Sequence, residues 1–329
     1  MTCFSRFASR TLGAVLALSG LWACTWAWAQ PYPHKPIKIV VPFAAGGVVD
    51  VTARQLGIKL TEAMGQPVVV ENKAGAGGTI AAEMVAKSPP DGYTLLMAFD
   101  SHAVNTLVYK NLRFNTFEDF APISFVGSIP LLFVAHPNLP ANDIPGLVRW
   151  LKSGQAKVSY GSVGAGSSGH LAAEQFNMLA GTSMLHVPFK GGAPAMNALM
   201  GDQVQLVVFA ATAAVPLVQS GKIKPLAVSG GKRSGALPQV PTMTEAGFPQ
   251  ISSGAWMGLL APAGTPAPIV RRLQQEVSKA VQDSEMVKKL GEQAIALSSS
   301  SPEELGAYIK AEHDKWARVI KEANINLEQ

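Results

Sequence analysis

Cysteine is almost missing from this chain: two residues, Cys3 and Cys24, in 329 positions. Both precede an A-x-A pattern at Ala27-Trp28-Ala29. Cleavage there would leave no thiol, which excludes disulfides, thiolate metal ligands and cysteine nucleophiles. Charge is sparse as well. Asp, Glu, Lys and Arg make up 15% of the chain, against roughly 25% in an average soluble protein. The net charge of +5 comes from scattered basic residues, with no basic stripe interleaved with aromatics, so nucleic acid is not an expected partner. Apolar runs long enough for several membrane spans are also lacking. G-x-S-x-G and H-E-x-x-H do not occur, so neither a nucleophile elbow nor a zinc-protease helix is present. What the chain does have is apolar bulk: 48% hydrophobic residues exclude disorder and allow sizeable cores.

The N-terminus has three parts: Arg6 and Arg10, a charge-free apolar stretch from Leu12 to Trp26, and the A-x-A site. This is the layout of a secretory signal peptide cut after Ala29. An uncleaved anchor is the alternative, but the apolar stretch falls short of the roughly 20 residues that span a bilayer. Lipidation at Cys24 is a second alternative. There Leu21-Trp22-Ala23-Cys24 loosely resembles a lipobox, with Trp22 a poor fit for a position that wants a small residue.

After the leader the pattern alternates. Ile37 to Val41 is a β-branched strand, and Leu56, Leu60 and Met64 have helical spacing. Val68–Val70, Thr79–Lys87 and Tyr93–Phe99 read as strand, helix and strand. An apolar crossing stretch, Phe120–His136, is broken by Gly127 and Pro130. A second strand–helix series runs from Ile144 to Ser229, and Ser252–Ala261 is again extended and apolar. Two helices close the chain, the last opened by the capping box Ser301-Pro302-Glu303-Glu304. Alternating strands and helices predict parallel sheets in an α/β protein. Two crossings between two series predict two lobes with a hinge and an inter-lobe ligand cleft. The expected division is 1–29 signal peptide, 30–131 with 254–329 as lobe 1, and 132–253 as lobe 2. A single large α/β domain is the alternative.

Three Gly-rich loops, Phe43–Gly47, Gly75–Gly78 and Gly164–Gly169, each join a strand to a helix. Unpaired amides at helix starts favour anions, and ligands of open α/β sheets sit at the carboxyl ends of the strands. Three such loops point to an anion held between lobes. Gly164-Ala165-Gly166-Ser167-Ser168-Gly169 also matches G-x-G-x-x-G, but Leu185–Ala195, where a ribose-binding acid belongs, contains none. A dinucleotide cofactor is therefore not expected. His170 and Glu174 are an i, i+4 pair without a third ligand, so no metal is expected. Lys73 and Lys190 lie in or beside the loops.

The ordered succession of motifs resembles a known family. It runs through Tyr32-Pro33-His34-Lys35-Pro36, Val41-Pro42-Phe43-Ala44-Ala45-Gly46-Gly47 with Asp50, Gln66-Pro67-Val68-Val69-Val70-Glu71-Asn72, and Pro90-Asp91-Gly92-Tyr93. It continues with Tyr160-Gly161-Ser162, His186-Val187-Pro188-Phe189-Lys190-Gly191 and Leu259-Leu260-Ala261-Pro262-Ala263-Gly264-Thr265-Pro266. Together these resemble the Bug family, periplasmic solute-binding proteins of tripartite tricarboxylate transporters. The resemblance implies a two-lobed periplasmic-binding-protein-like fold that captures a small organic anion, a di- or tricarboxylate or an aromatic carboxylate. It also implies a monomer that docks transiently on membrane permease subunits and has no catalytic residue or cofactor. The expected ligand-binding residues are Phe43, Ala45, Gly46, Gly47 and Asp50, then Ala76, Gly77 and His102. From the second lobe they are Ser162, Gly166, Ser167, Ser168, His170, Lys190, Gly191, Ala210 and Ala211. Val48-Val49, Ala210-Ala211 and Phe189 replace more polar residues common in the family, which predicts an apolar crevice that disfavours amino acids. A secreted α/β hydrolase and a ligand-sensing partner of a membrane sensor are the rival readings.

Overall fold

The computed structural model describes residues 32–154, 158–189, 191–252, 254–323 and 325. The signal-peptide segment, with Cys24, and Lys190 lie outside the described residues. Tyr32 to His34 include a cis Tyr32–Pro33 peptide, and Lys35 onward forms one unit.

That unit is built on two sheets. The first takes β1 (Ile37–Val41), β2 (Val68–Asn72), β3 (Thr94–Phe99), β4 (Phe120–Ile129), β10 (Ala255–Pro262) and β11 (Ala296–Leu297), in the order β11-β4-β10-β3-β1-β2. The second takes β5 (Leu131–Ala135), β6 (Ser159–Ser162), β7 (Leu185–Pro188), β8 (Leu206–Ala210) and β9 (Lys224–Val228), in the order β7-β6-β8-β5-β9.

Neither sheet is purely parallel, which corrects the sequence expectation. β1 pairs in parallel with β2 and β3, and β6 with β7 and β8. The crossing strands run the other way: β10 is antiparallel to β3 and β4, and β5 to β8 and β9. The cause is the way the chain changes sheets. Only Pro130 separates β4 from β5, so a strand leaving one sheet enters the other in line, with no helical crossover to reverse it. The return at Gly254 touches this crossing. A Cβ there would stand 2.2 Å from the Ile129 carbonyl oxygen, so the two connections meet only because position 254 is glycine.

Helices α1 (Val48–Met64), α2 (Thr79–Ala86) and α3 (Ser101–Val108) belong to the first sheet. α4 (Ile144–Lys152), α5 (Ser168–Ala180), α6 (Gly192–Met200) and α7 (Val215–Gln219) belong to the second. α8 (Ala267–Ala280), α9 (Ser284–Gly291) and α10 (Pro302–Glu322) follow the return. Local chemistry sets their ends. Gly65 closes α1 in the left-handed region, Asp143 and Asp283 cap α4 and α9, and Ser301 with Glu304 forms the expected capping box of α10. Gly169 fits α5 against β8, since a Cβ would lie 2.0 Å from the Val208 carbonyl oxygen.

The long helix α10 joins the two halves. Leu305 and Ile309 pack in a cluster with Leu96, Trp256 and Leu260 of the first sheet. One helical stretch further on, Trp316 and Val319 pack with Leu171 and Phe176 of α5 and with Val104 and Val108 of α3. One hydrophobic seam thus spans the two sheets.

Candidate functional site

The carboxyl ends of β1, β3, β6 and β7 converge on a cavity of about 310 Å³. Phe43, Gly77, Phe99, Asp100 and one face of α3 with Asn105 and Tyr109 form one wall. The loop Val163–Ser168 and Phe189 form the other. This is where the strand-end rule places a ligand. Five of the sequence candidates line it: Phe43, Gly77, Gly166, Ser167 and Ser168. Aromatic and aliphatic side chains make up much of the remaining wall; of Val48, Val49, Phe189, Ala210 and Ala211, on which the sequence reading of an apolar crevice rests, Phe189 alone is part of it.

Several other candidates hold the loops rather than facing the cavity. Asp50 is 3% exposed and fully used. Its carboxylate accepts from the Gly46 amide at 2.9 Å, from Asn72 Nδ2 at 2.9 Å, and from Arg54 Nε at 3.0 Å and Nη2 at 2.9 Å. Burial works to raise its pKa, but the bonds from Arg54, the Gly46 amide and Asn72 prevail and hold the carboxyl at about 2. Asn72 Nδ2 also donates to the Phe43 carbonyl at 3.0 Å, so this ion pair ties down the whole first loop. The Gly46 amide is therefore spent inside the protein, a correction to its expected role as an anion donor. Ala45, Gly46 and Gly47 form the exposed apex of that loop, and no side chain caps α1.

The second loop has a different anchor. The Gly166 amide donates to His170 Nδ1 at 3.0 Å, so this amide too is occupied. Ser162 Oγ donates to the Gly164 carbonyl at 2.9 Å and lies 2.8 Å from His186 Nε2. With the hydroxyl proton given to Gly164, His186 donates from Nε2. His170 and His186 stack at 3.8 Å, and Tyr160 stacks on His186 at 5.0 Å and donates to Glu174. Burial lowers His186 to about 4; burial and the neighbouring imidazole lower His170 to about 3. Both rings are neutral at physiological pH and act as struts beneath the loop. Ser167 caps α5 by accepting from the His170 amide at 3.4 Å, leaving the Ser168 and Gly169 amides at its start without intrahelical partners.

The rest lie elsewhere. His102 is buried against Phe114 and Phe120, with ring centroids 6.2 and 4.9 Å away, and burial lowers it to about 4. It is a core histidine. Ala76 sits in the short turn before Gly77 with φ 45°. Gly191 precedes α6. Ala210 pairs with Leu131, and the Ala211 amide donates to the Pro130 carbonyl at 3.0 Å, which places both beside the crossing rather than in the cavity wall.

Sequence reading missed α3 and, with it, Asp100, Asn105 and Tyr109. Asp100 is 8% exposed, accepts from the Ser101 amide at 2.7 Å through Oδ1, and has no hydrogen-bond partner at Oδ2. Burial raises this carboxyl to about 7 against the pull of Ser168 and the Ser101 amide, with Glu312 adding to the rise. Its signal was present, since an Asp directly after a strand end stands where ligands bind.

The sequence pattern of the tripartite tricarboxylate transporter family receptor matches residues 52–325. The chain belongs to that family. Protein BugT of Bordetella pertussis is 34% identical over 320 residues, covering 95% of this chain and 98% of that one. Among solved structures, the periplasmic binding protein BugD is 36% identical with a TM-score of 0.77, covering 91% of this chain and 100% of its own. Rpa4515 of R. palustris, solved with adipate, is 34% identical with a TM-score of 0.80, covering 89% and 99%. The receptor family is periplasmic and its members are solute-binding proteins with the two-lobed architecture. Among the described residues of this receptor, no helix is long and apolar enough to cross a membrane.

Proposed function

We propose that the chain is exported to the periplasm, loses its first 29 residues, and captures a small organic carboxylate between two lobes for delivery to a membrane permease. The observation that carries this reading is the convergence of four strand ends and the start of α5 on one cavity between the sheets. A carboxylate there meets the unpaired Ser168 amide at the start of α5, with Phe43, Phe99 and Phe189 covering its apolar part. The adipate bound by a relative of the same fold is a ligand of this class.

The lobes are 30–131 with 254–329, and 132–253. Pro130 and Gly254 mark the hinge, and α10 lies across both lobes. Binding drives closure through differential affinity for the closed form, and the acid leaves chemically unchanged. The protein works as a monomer.

The test is a thermal-shift screen of the processed protein against organic acids, with the ligand recovered and analysed afterwards. A saturating ligand at a hundred times its Kd stabilises by about 2.7 kcal/mol. Saturable shifts with unaltered acid support capture. A hydrolysed ester or altered acid would establish the enzyme instead.

A further inference from the structure

The wall of the cavity contains one acid, Asp100, and no lysine, arginine or histidine among its described residues. That is a poor arrangement for an anion site. Asp100 is 8% exposed, its Oδ2 is buried with no partner at hydrogen-bond distance, and the Ser168 hydroxyl at the start of α5 stands close enough to pull on the carboxyl. Two negative groups sharing a desolvated cavity cannot both stay ionised, whereas a carboxylic acid and a carboxylate share one proton in a short, strong hydrogen bond.

We propose that Asp100 is a ligand-binding residue that meets the captured carboxylate in its protonated form, so that above neutrality each anion enters with one proton taken from water. This rests on the carboxylate-capture reading and adds the chemistry of its second contact. A small turn of the carboxyl toward the cavity on binding gives Oδ2 its missing partner: the neutral acid donates to the ligand oxygen while Oδ1 keeps the Ser101 amide. The surroundings favour the neutral form. From α10, Glu312 and Tyr308 face the same region, and Glu312 pushes the Asp100 carboxyl further upward. Lys315 lies against Glu312 at 3.5 Å and over the Trp316 ring at 3.9 Å, so its charge is directed there. From α5 the Ser168 hydroxyl approaches, and just past α3 the Tyr109 ring shares the cavity wall. In the free protein burial already sets the carboxyl at about 7, so uptake becomes visible just above neutrality.

The test is titration calorimetry of the exported protein with adipate, and with benzoate as a second acid, in buffers of different ionisation enthalpy. At pH 8 the wild type takes up close to one proton per acid, and at pH 6 close to none. Affinity falls about tenfold per pH unit above 7. Asp100→Asn keeps an acceptor for the Ser101 amide and is always neutral. It shows no uptake and no such pH dependence, and at pH 8 binds about tenfold more tightly than wild type. Proton uptake by the wild type stands as a test even if the variant folds poorly. Binding without uptake, or with affinity rising above pH 7, overturns the assignment while leaving carboxylate capture intact. So does tight glutamate binding that Asp100→Asn abolishes, because Asp100 would then serve an ammonium group. If no acid of any kind binds, the capture reading fails and this assignment with it.

Discussion

The carboxylates at positions 50 and 100 show how surroundings decide what a side chain does. Asp50 has a guanidinium and two amide donors, stays ionised, and fixes a loop. Asp100 has one amide and a neighbouring acid, and sits at the edge of protonation. Their effects on stability have opposite signs. Asp50, held at about 2, contributes stability that is present above the unfolded value near 3.8 and lost as pH falls toward 2. Asp100, raised to about 7, contributes stability that is present below the unfolded value and lost as pH rises through about 7. Melting curves of the ligand-free protein should therefore show a decline between about pH 4 and 7 that is reduced in Asp100→Asn. A profile identical in the two proteins would show that the carboxyl is not held protonated. Asp50→Asn should lower stability by about 2 kcal/mol, since it removes the charge that Arg54 and the Gly46 amide share. It should also weaken ligand binding, because the Phe43 loop loses its tie; an unchanged melting temperature would contradict this.

Among the elements, those with strong local chemistry were legible in the sequence. The β-branched run of β1, the caps of α10 and the Gly-rich starts of α1 and α5 are written in adjacent residues. The α3 helix was not legible. Its eight residues, Ser-His-Ala-Val-Asn-Thr-Leu-Val, mix β-branched and polar types, and its helicity comes from packing against α10 and the seam. That omission concealed half of the cavity wall, Asp100 included. The glycine loops were found for the right reason, yet two amides assigned to the ligand are bound to Asp50 and His170. Spacing reveals a loop, but not which way its amides point. The packing of α5 on β8 is the sharpest element-scale test. Gly169→Ala forces a methyl into the Val208 carbonyl and should cost about 3 kcal/mol or more. Ser301→Ala, which removes one cap of α10, should cost about 1 kcal/mol. Chemical denaturation of both variants measures the difference, and comparable losses would remove the argument for close approach at position 169.

At the scale of the whole molecule, two sheets are joined by strands that meet at Pro130 and Gly254 and by a helix that packs on both. The two-series architecture was legible, because two runs of strand–loop–helix are separated by extended apolar stretches. The antiparallel return strands were not, since direction depends on how the chain changes sheets. The seam also holds a natural optical reporter. Trp256 is enclosed in the first sheet's cluster, whereas Trp316 sits where α3, α5 and α10 meet, its Nε1 donating to Glu312 at 3.0 Å. Ligand-driven closure should alter Trp316 emission, and Trp316→Phe should remove most of that change. A full response persisting in this variant would place the moving surfaces elsewhere.

The most direct measurement is a crystal structure of the processed protein grown with an acid found in the thermal screen. The account predicts the intact carboxylate between Phe43 and the Val163–Ser168 loop, within hydrogen-bond distance of the Ser168 or Gly169 amide, with both sheets closed around it. An acid bound outside that cavity, or a chemically altered product within it, would contradict the account.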